Sequence, residues 1–409
     1  MHFSRKLFIE TILLTVCVGA SKQSVIDLSK SQSPPDVLTS TTSKPEDNLV
    51  AVNDTNHRKG RFDFFPFYTI GRFPNTACTG INDLTGTCVL TGECSDAGGI
   101  ATGSCTTLTG QAVCCVYQQT CGGTANYNNT YFVNPNYPGS WGGGSTCSIV
   151  VSPASADICQ IRLDFLDLSL APPNGDGVCN RDAISITGGS SYVPTLCGMN
   201  SGQHVYATFD GSQPITINIA ASSSYTFGRK WHMMINQIDC NSAKLAPSGC
   251  LQYYSASSGV IRSFNYGSGA NSALNSVGVD GTRQIANLNY GICIATAADQ
   301  CSITYSTLSS DTYSFTVTGD VGAVDPALLG TSALQDQSCS TDYIVIPSPW
   351  QNNAALTSDR FCGLGLASTT SNASPFVVYA VTDGNEQMDI GNRGFSLSYS
   401  QNECPVNIA

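Results

Sequence analysis

The sequence predicts an all-β protein: two tandem antiparallel β-sandwiches behind a small disulfide-rich N-terminal unit. Three observations lead there. Of the 19 cysteines, Cys17 lies in a hydrophobic leader, and the rest fall into three sets of six between Cys78 and Cys404. The contexts of the last two sets recur along the chain. Between the cysteines, short runs that alternate apolar and polar residues are punctuated by Gly, Asn, Pro and Ser, the rhythm of antiparallel sheets. An even number of cysteines behind a leader reads as a disulfide framework and an oxidising compartment.

The bulk numbers narrow the function classes. A chain of 409 residues has room for two or three domains. Charged residues make up 11%, less than half of the roughly 25% usual in soluble proteins; Ser, Thr, Asn and Gly supply the polarity. The net charge of -11 repels a phosphate backbone and an anionic membrane, so no nucleic-acid partner is expected. A cationic partner is allowed but not implied.

Residues 1–20 read as a signal peptide. Arg5 and Lys6 precede an apolar stretch from Leu7 to Val18, interrupted by Glu10, and Val18-Gly19-Ala20 offers small residues for cleavage. An uncleaved anchor is the alternative, but the stretch is short for a bilayer. No other apolar run approaches about 18 residues, and no hydrophobic tail follows Cys404, so a soluble chain without membrane span or lipid anchor is expected. Residues 21–77 read as a disordered linker, rich in Ser, Thr, Asp and Pro, that ends in an aromatic segment. Within it, Arg58-Lys59-Gly60-Arg61 is a solvated charge run or a processing site, and Phe62-Asp63-Phe64-Phe65-Pro66-Phe67-Tyr68 packs on a neighbour or binds a partner.

The unit 78–115 holds Cys78, Cys88, Cys94, Cys105, Cys114 and Cys115. It is too small and too poor in apolar residues to fold without staples. Zinc is disfavoured, because the C-x2-C spacing is absent and the compartment is oxidising. The second set is Cys121, Cys147, Cys159, Cys179, Cys197 and Cys240, and the third is Cys250, Cys293, Cys301, Cys339, Cys362 and Cys404. Cys179 is followed by Asp182, Ile184 and Ile186, as Cys339 is by Asp342, Ile344 and Ile346. Gly198 and Gly363 follow Cys197 and Cys362. Trp231 through Gln237 stands before Cys240 as Phe395 through Gln401 stands before Cys404. Agreement of cysteines and non-cysteines together reads as a duplicated domain, with module one at 121–240 and module two at 250–404. Ile215-Thr216-Ile217-Asn218-Ile219, Tyr313-Ser314-Phe315-Thr316-Val317 and Phe395-Ser396-Leu397-Ser398-Tyr399 alternate with period two. Tyr343-Ile344-Val345-Ile346 and Phe376 through Val381 read as strands buried on both faces.

These residues resemble the CUB domain, a secreted β-sandwich of jelly-roll type. Module one opens Cys121-Gly122-Gly123, continues with Asn134-Pro135-Asn136-Tyr137-Pro138 and reaches Cys147, as the family's opening Cys-Gly, its Pro-Asn-Tyr-Pro turn and its first disulfide partner do. Leu163-Asp164-Phe165-Leu166-Asp167-Leu168 is similar to the Phe-rich strand that follows. Cys179-Asn180-Arg181-Asp182 and Cys339-Ser340-Thr341-Asp342-Tyr343 resemble its Cys-x-x-Asp-Tyr motif. Cys197-Gly198 and Cys362-Gly363 resemble its closing Cys-Gly, and Gly394-Phe395 the Gly-Phe before the last strand. Module two lacks the Pro-Asn-Tyr-Pro turn. The pair resembles a group of arthropod tandem CUB proteins, and unit 78–115, ending in adjacent Cys114 and Cys115, is similar to a clip domain. On this resemblance, Cys121–Cys147, Cys179–Cys197 and Cys339–Cys362 pair. Each module then holds an extra pair, by position Cys159–Cys240 and Cys301–Cys404, which leaves Cys250–Cys293. The cysteines alone leave the connectivity open.

The resemblance also raises a Ca²⁺ site, which needs several converging carboxylates. In module one Asp182 fits, but Ser169 stands where a Glu is expected, and Ser224 and Thr226 occupy the region of the third carboxylate; no site is expected there. In module two Asp342 fits and Asp383 is a candidate third ligand, while Asp320 aligns poorly. The alternative for Asp342 is a structural cap at its strand start. A Ca²⁺ site in module two would, by family analogy, grip a Lys of a partner.

No catalytic residues are expected. Neither His204 nor His232 stands in a protease-like context, and no nucleophile-elbow, zinc-protease or phosphate-loop motif occurs. Gly142-Gly143-Gly144 reads as a loop. Sequons at Asn53, Asn128 and Asn372 are permissive for glycan, with at least one of Asn128 and Asn372 expected to carry it. The leading function is a secreted, non-enzymatic adaptor binding extracellular proteins. A regulator of a serine-protease cascade and a structural matrix or secretion component are the alternatives.

Overall fold

The three cysteine sets coincide with three successive groups of strands in the computed structural model. It describes residues 76–405 apart from 106–111, 270, 275–277, 279, 318–333, 336–338 and 387–391. The expected signal peptide, nearly all of the linker with its aromatic segment, the basic cluster, Asn53 and Asp320 lie outside the described residues.

The N-terminal unit comprises β1 (Ala77–Thr79), β2 (Thr85–Leu90), a short helix α1 (Thr91–Asp96), β3 (Ile100–Ser104) and β4 (Ala112–Gln119). Its disulfides are Cys78–Cys114, Cys88–Cys105 and Cys94–Cys115. They are also most of its core: one cluster is Cys88, Cys105, Ala112 and Cys114, the other Val89, Cys94, Cys115 and Tyr117.

Module one contains β5 (Thr124–Ala125), β6 (Thr130–Val133), β7 (Thr146–Val151), β8 (Ile158–Ser169), β9 (Asp182–Thr187), β10 (His204–Thr208), β11 (Ile215–Ala221) and β12 (Lys230–Asp239). One sheet runs β5-β7-β11-β9. The facing sheet joins the N-terminal unit in the order β1-β2-β4-β6-β12-β8-β10, with β3 on β4. The last strand of the unit therefore runs past Cys115 into the sheet of module one. Ala112 through Gln119 contains neither Pro nor Gly, so nothing stops β4, and Tyr117–Gln119 pair in parallel with Thr130–Phe132. Ile215, Ile217 and Ile219 turn inward between half-buried neighbours. They meet Ile161, Leu163 and Phe165 of β8 and Trp231, Met233 and Ile235 of β12.

Module two contains β13 (Cys250–Tyr254), β14 (Ser258–Arg262), β15 (Asn271–Leu274), β16 (Asp280–Gly281), β17 (Asn289–Ile294), β18 (Gln300–Thr307), β19 (Phe315–Thr316), β20 (Leu334–Gln335), β21 (Tyr343–Val345), β22 (Pro349–Gln351), β23 (Ala354–Ala355), β24 (Arg360–Cys362), β25 (Thr369–Ser371), β26 (Phe376–Val381) and β27 (Gly394–Glu403). Its two layers are β13-β17-β26-β21-β24-β20 and β14-β27-β18-β25-β22-β23, with β19 on β27. The module disulfides are Cys121–Cys147, Cys159–Cys240, Cys179–Cys197, Cys250–Cys293, Cys301–Cys404 and Cys339–Cys362.

Three details depart from the sequence reading. The sheets are not wholly antiparallel: β4–β6, β5–β7 and β13–β17 are parallel pairs. Two of them, β5 and β13, are the first strands of their modules, laid along an existing sheet edge rather than folded back as a hairpin. Tyr343–Ile346 is half-buried, not covered on both faces, because only Ile344 and Ile346 turn inward while Tyr343 lies under the Arg360 guanidinium at 4.5 Å. The Tyr313–Val317 alternation is lost, since Ser314 and Thr316 are buried along with Phe315 and Val317; Ser314 Oγ donates to the Ser396 carbonyl instead of facing water.

The two modules are clamped by amide side chains. Gln160 of module one exchanges two hydrogen bonds of 2.9 Å with Ala246, in the segment that leads into module two. Asn265 Oδ1 accepts from Met199 N at 3.0 Å, and Asn200 Oδ1 accepts from Asn265 N at 2.7 Å. Gln203 Nε2 donates to the Ser263 carbonyl at 3.1 Å. Such buried amides cost free energy unless bonded, and here the bonds cross the junction. Gly198, at φ +79°, leaves space that a Cβ would take from the Asn265 amide.

Candidate metal centre

The repeated Asp of each module stands three residues after a disulfide cysteine, Asp182 as the first residue of β9 and Asp342 immediately before β21. In both modules this carboxylate is buried, with Asp182 at 1% and Asp342 at 0% exposure. A buried carboxylate needs donors and a counter-charge. The two modules meet that need differently.

In module two, Asp342 Oδ1 accepts from Asp383 N at 2.9 Å, and Oδ2 from Gln284 Nε2 at 3.2 Å. The same Gln284 amide reaches Glu386 Oε2 at 3.2 Å. Asp383 Oδ1 accepts from Asn385 N at 2.7 Å, a local Asx turn that folds the chain back so that Glu386 joins the cluster. Carboxylate oxygens of Asp342, Asp383 and Glu386 lie within 4.8 Å of one another. Asp342 and Glu386 are fully buried, while Asp383 reaches the surface. A module-one loop lies against them: Gly177, at φ +81°, sits where a Cβ would come within 2.5 Å of Glu386 Cγ, and its carbonyl accepts from Ala286 N at 2.9 Å. Three converging carboxylates are hard oxygen donors of the kind Ca²⁺ takes, and water can fill its remaining positions.

In module one, both oxygens of Asp182 face a guanidinium. Arg229 Nε and Nη2 reach Oδ2 and Oδ1 at 2.8 Å each, and both side chains have no exposure. Nη1 also donates to the Gly142 and Phe227 carbonyls, at 2.6 and 3.0 Å, and Nη2 to the Ser222 carbonyl at 3.0 Å. Ala171 N and Ser222 N complete the carboxylate, at 2.7 and 3.3 Å. The Gly142–Gly144 loop caps this pair: Gly143 has φ +82°, and a Cβ there would meet Arg229 Nη1 at 2.7 Å. Ser224 and Thr226 point to solvent, and Ser169 ends β8 beside Lys230.

The cysteines Cys78, Cys88 and Cys105 also cluster, but their sulfurs are consumed in disulfides. His204 Nε2 accepts from Tyr253 N at 3.0 Å across the module junction. Burial first, then the Arg162 charge, pushes its pKa down to about 3, so it is neutral. His232 Nδ1 lies 3.2 Å from the Tyr137 hydroxyl, and its pKa is lowered chiefly by burial. Among the described residues, neither imidazole bonds a serine, a cysteine or a carboxylate.

Residues 247–402 match the family model of the animal CUB domain. Module two is a CUB domain. No curated protein matches the chain. Among solved structures the chain is similar to the CUB1-EGF-CUB2 domains of rat MASP-1, at 13% identity and a TM-score of 0.23 over 70% of this chain and 99% of that one. It is also similar to the CUB1-EGF-CUB2 domain of human MASP-1/3, at 14% identity and 0.22 over 66% and 98%. A third is the full extracellular region of zebrafish Gpr126/Adgrg6, at 9% and 0.23 over 71% and 37%. The CUB domain spans the whole carboxylate cluster.

Sequence reasoning named Asp342 and Asp383, which the structure brings together, and missed Glu386 and Arg229. Glu386 follows Asp383 at the spacing of one turn, a signal present in Asp383-Gly384-Asn385-Glu386. Arg229 stands two residues before Trp231, as Arg393 stands two before Phe395, so the repeat itself marked the position. Arg393 lies with its guanidinium carbon 5.0 Å from the Tyr313 ring centre.

Proposed function

We propose that the chain is a secreted, non-enzymatic adaptor that binds other extracellular proteins through its two sandwiches, with one Ca²⁺ held by Asp342, Asp383 and Glu386. The convergence of these three carboxylates within the CUB domain carries the reading. The CUB match and nine disulfides support an extracellular protein-interaction role, and no helix among the described residues is long and apolar enough to cross a membrane.

Ca²⁺ would bring positive charge to the three converging carboxylates. It would tie the Asp383–Glu386 turn to the start of β21 and to the module-one loop at Gly177. Since Asp342 and Glu386 are buried, Asp383 is the carboxylate left for a partner, and a Lys ammonium is the complementary group. The test is calorimetric titration of the whole secreted chain with Ca²⁺ after chelator treatment. One site is expected, lost in Asp383→Asn. A folded chain that gives no heat at millimolar Ca²⁺ refutes the site, and capture of an extracellular partner that persists unchanged in chelator refutes its role in binding.

A further inference from the structure

An open groove of about 1240 Å³ runs between the N-terminal unit and the outer face of module one, above the roughly 300–1,000 Å³ of ordinary ligand pockets. Its floor is the solvent face of β8, β10 and β12. There Arg162, Asp164, Asn236 and Tyr206 form one network. Arg162 Nε donates to Asp164 Oδ1 and Asn236 Nδ2 to Asp164 Oδ2, both at 2.8 Å, and Arg162 Nη1 reaches the Tyr206 hydroxyl at 3.5 Å. Planar polar groups fixed by one another and set beside tyrosine rings suit sugars, because hydroxyls take paired hydrogen bonds and pyranose faces pack on rings.

Asn128 stands in the wall of this groove. Its Oδ1 accepts from Gln237 N at 2.7 Å and from Asn129 N at 2.9 Å. These two donors fix which end of the amide faces the protein. The Nδ2 end is left over: among the described residues it donates to nothing. Asn128-Asn129-Thr130 is a sequon lying in a turn.

We propose that Asn128 carries an N-linked glycan whose inner sugars lie in this groove, bridging the N-terminal unit and module one as a ligand built into the chain. The inference rests on the extracellular reading, because attachment occurs in the secretory path. In the covalent step, Asn128 Nδ2 attacks C1 of the first sugar of a lipid-linked oligosaccharide diphosphate. The N–C1 bond forms, the C1–O bond breaks with its electrons leaving on the lipid diphosphate, and one Nδ2 proton is lost to base. The step precedes folding, because the Thr130 hydroxyl, in a residue 1% exposed, donates to the Tyr127 carbonyl once the chain is folded. The linkage consumes Nδ2–H and leaves Oδ1 free to keep both backbone bonds. Asn372, by contrast, is exposed just after β25, and a glycan there stands in solvent.

The experiment secretes the whole chain from a eukaryotic cell line and follows the Asn128 and Asn372 peptides by mass spectrometry through endoglycosidase digestion, native and denatured. Asn128 is expected to be occupied and released at least about tenfold more slowly from native than from denatured protein, the factor that about 1.4 kcal/mol of cover supplies. Thr130→Val, which keeps Asn128 and its two bonds, is expected to be secreted and to lose the slow fraction. A secreted chain with Asn128 bare, or with its glycan released equally fast in both states, overturns the inference while leaving the extracellular reading intact. A chain retained in the cell with both sequons bare overturns both.

Discussion

Replacing Arg229 by Met isolates what the internal cation of module one is worth. The side chain is fully buried and gives two bonds to Asp182 and three to backbone carbonyls. Met retains most of the volume and no charge. The Asp182 carboxylate is then left in the core with only the Ala171 and Ser222 amides. Breaking one side of a buried pair costs about 3–5 kcal/mol. Each carbonyl that loses its donor costs about 1 kcal/mol more where water cannot reach it; the Gly142 and Phe227 carbonyls lie in loops and re-solvate. A loss of about 4–6 kcal/mol is therefore expected, a large share of the roughly 5–15 kcal/mol that holds a domain folded. The double variant Asp182→Asn/Arg229→Met buries no charge, so it should be more stable than either single variant, with a coupling of about 2–3 kcal/mol. Urea unfolding followed by tryptophan fluorescence reads this directly, because Trp231 is buried and Trp141 packs edge-on against it at 5.5 Å. A single-variant loss below about 1 kcal/mol, or losses that simply add in the double variant, would refute the reasoning.

Three further outcomes are expected. His204 has its pKa lowered from 6.5 to about 3 by burial and then by Arg162; the unfolded chain takes up the proton first, so its stabilising contribution is complete above about pH 6.5 and falls by about 1.4 kcal/mol per unit as pH drops toward 3. Unfolding midpoints at about pH 7 and 5 should show a loss of about 2 kcal/mol that His204→Gln removes, and an unchanged slope in that variant counts against it. Gly143→Ala meets both a positive φ and the Arg229 guanidinium, and a thermal scan should show a loss of about 1–3 kcal/mol, whereas Gly142→Ala, with nothing within 4 Å of its Cβ, should change little. Gln160→Ala breaks the reciprocal clamp on Ala246 and should cost about 2–3 kcal/mol, read as faster amide exchange at the start of β13.

The class of fold was legible because period-two alternation and paired cysteines are local or countable signals. Ile215 through Ile219 shows its inward face in the sequence, and the structure buries the same three isoleucines. What escaped were features set by neighbours. Nothing in Ala112 through Gln119 announces that β4 will carry the sheet of the N-terminal unit on into module one, since the cue is the absence of a breaker. Tyr343 reads as a buried residue, but its cover is a guanidinium from β24 rather than a second sheet. At the candidate site, Asp342 and Asp383 were visible because the repeat fixed one and a Gly-Asn turn marked the other. Glu386 was not, because its place depends on the Asx turn that reverses the chain after Asp383.

The two modules nonetheless share one problem, which explains why the repeated Asp carries different surroundings. Asp182 accepts from Ser222 N and Asp342 from Asp383 N, so in each module the carboxylate holds the loop that leads into the last strand, β12 or β27. That backbone bond requires a carboxylate in a dry place, and the dry place then requires a cation. Module one draws it from Arg229 within its own loop, a charge that cannot leave. Module two gathers Asp383 and Glu386 around Asp342, the convergence of hard oxygens that the proposed Ca²⁺ would need. The two solutions should not be interchangeable. Millimolar Ca²⁺ should leave the stability of Arg229→Met unchanged, because Ser224 and Thr226 are exposed and, among the described residues, no group of three metal-ligating side chains includes Asp182. The same Ca²⁺ should raise the unfolding midpoint of the parent chain and not that of Asp383→Asn. Rescue of Arg229→Met by Ca²⁺ would show that module one retains a metal site beneath its arginine, and the division between the modules would fall.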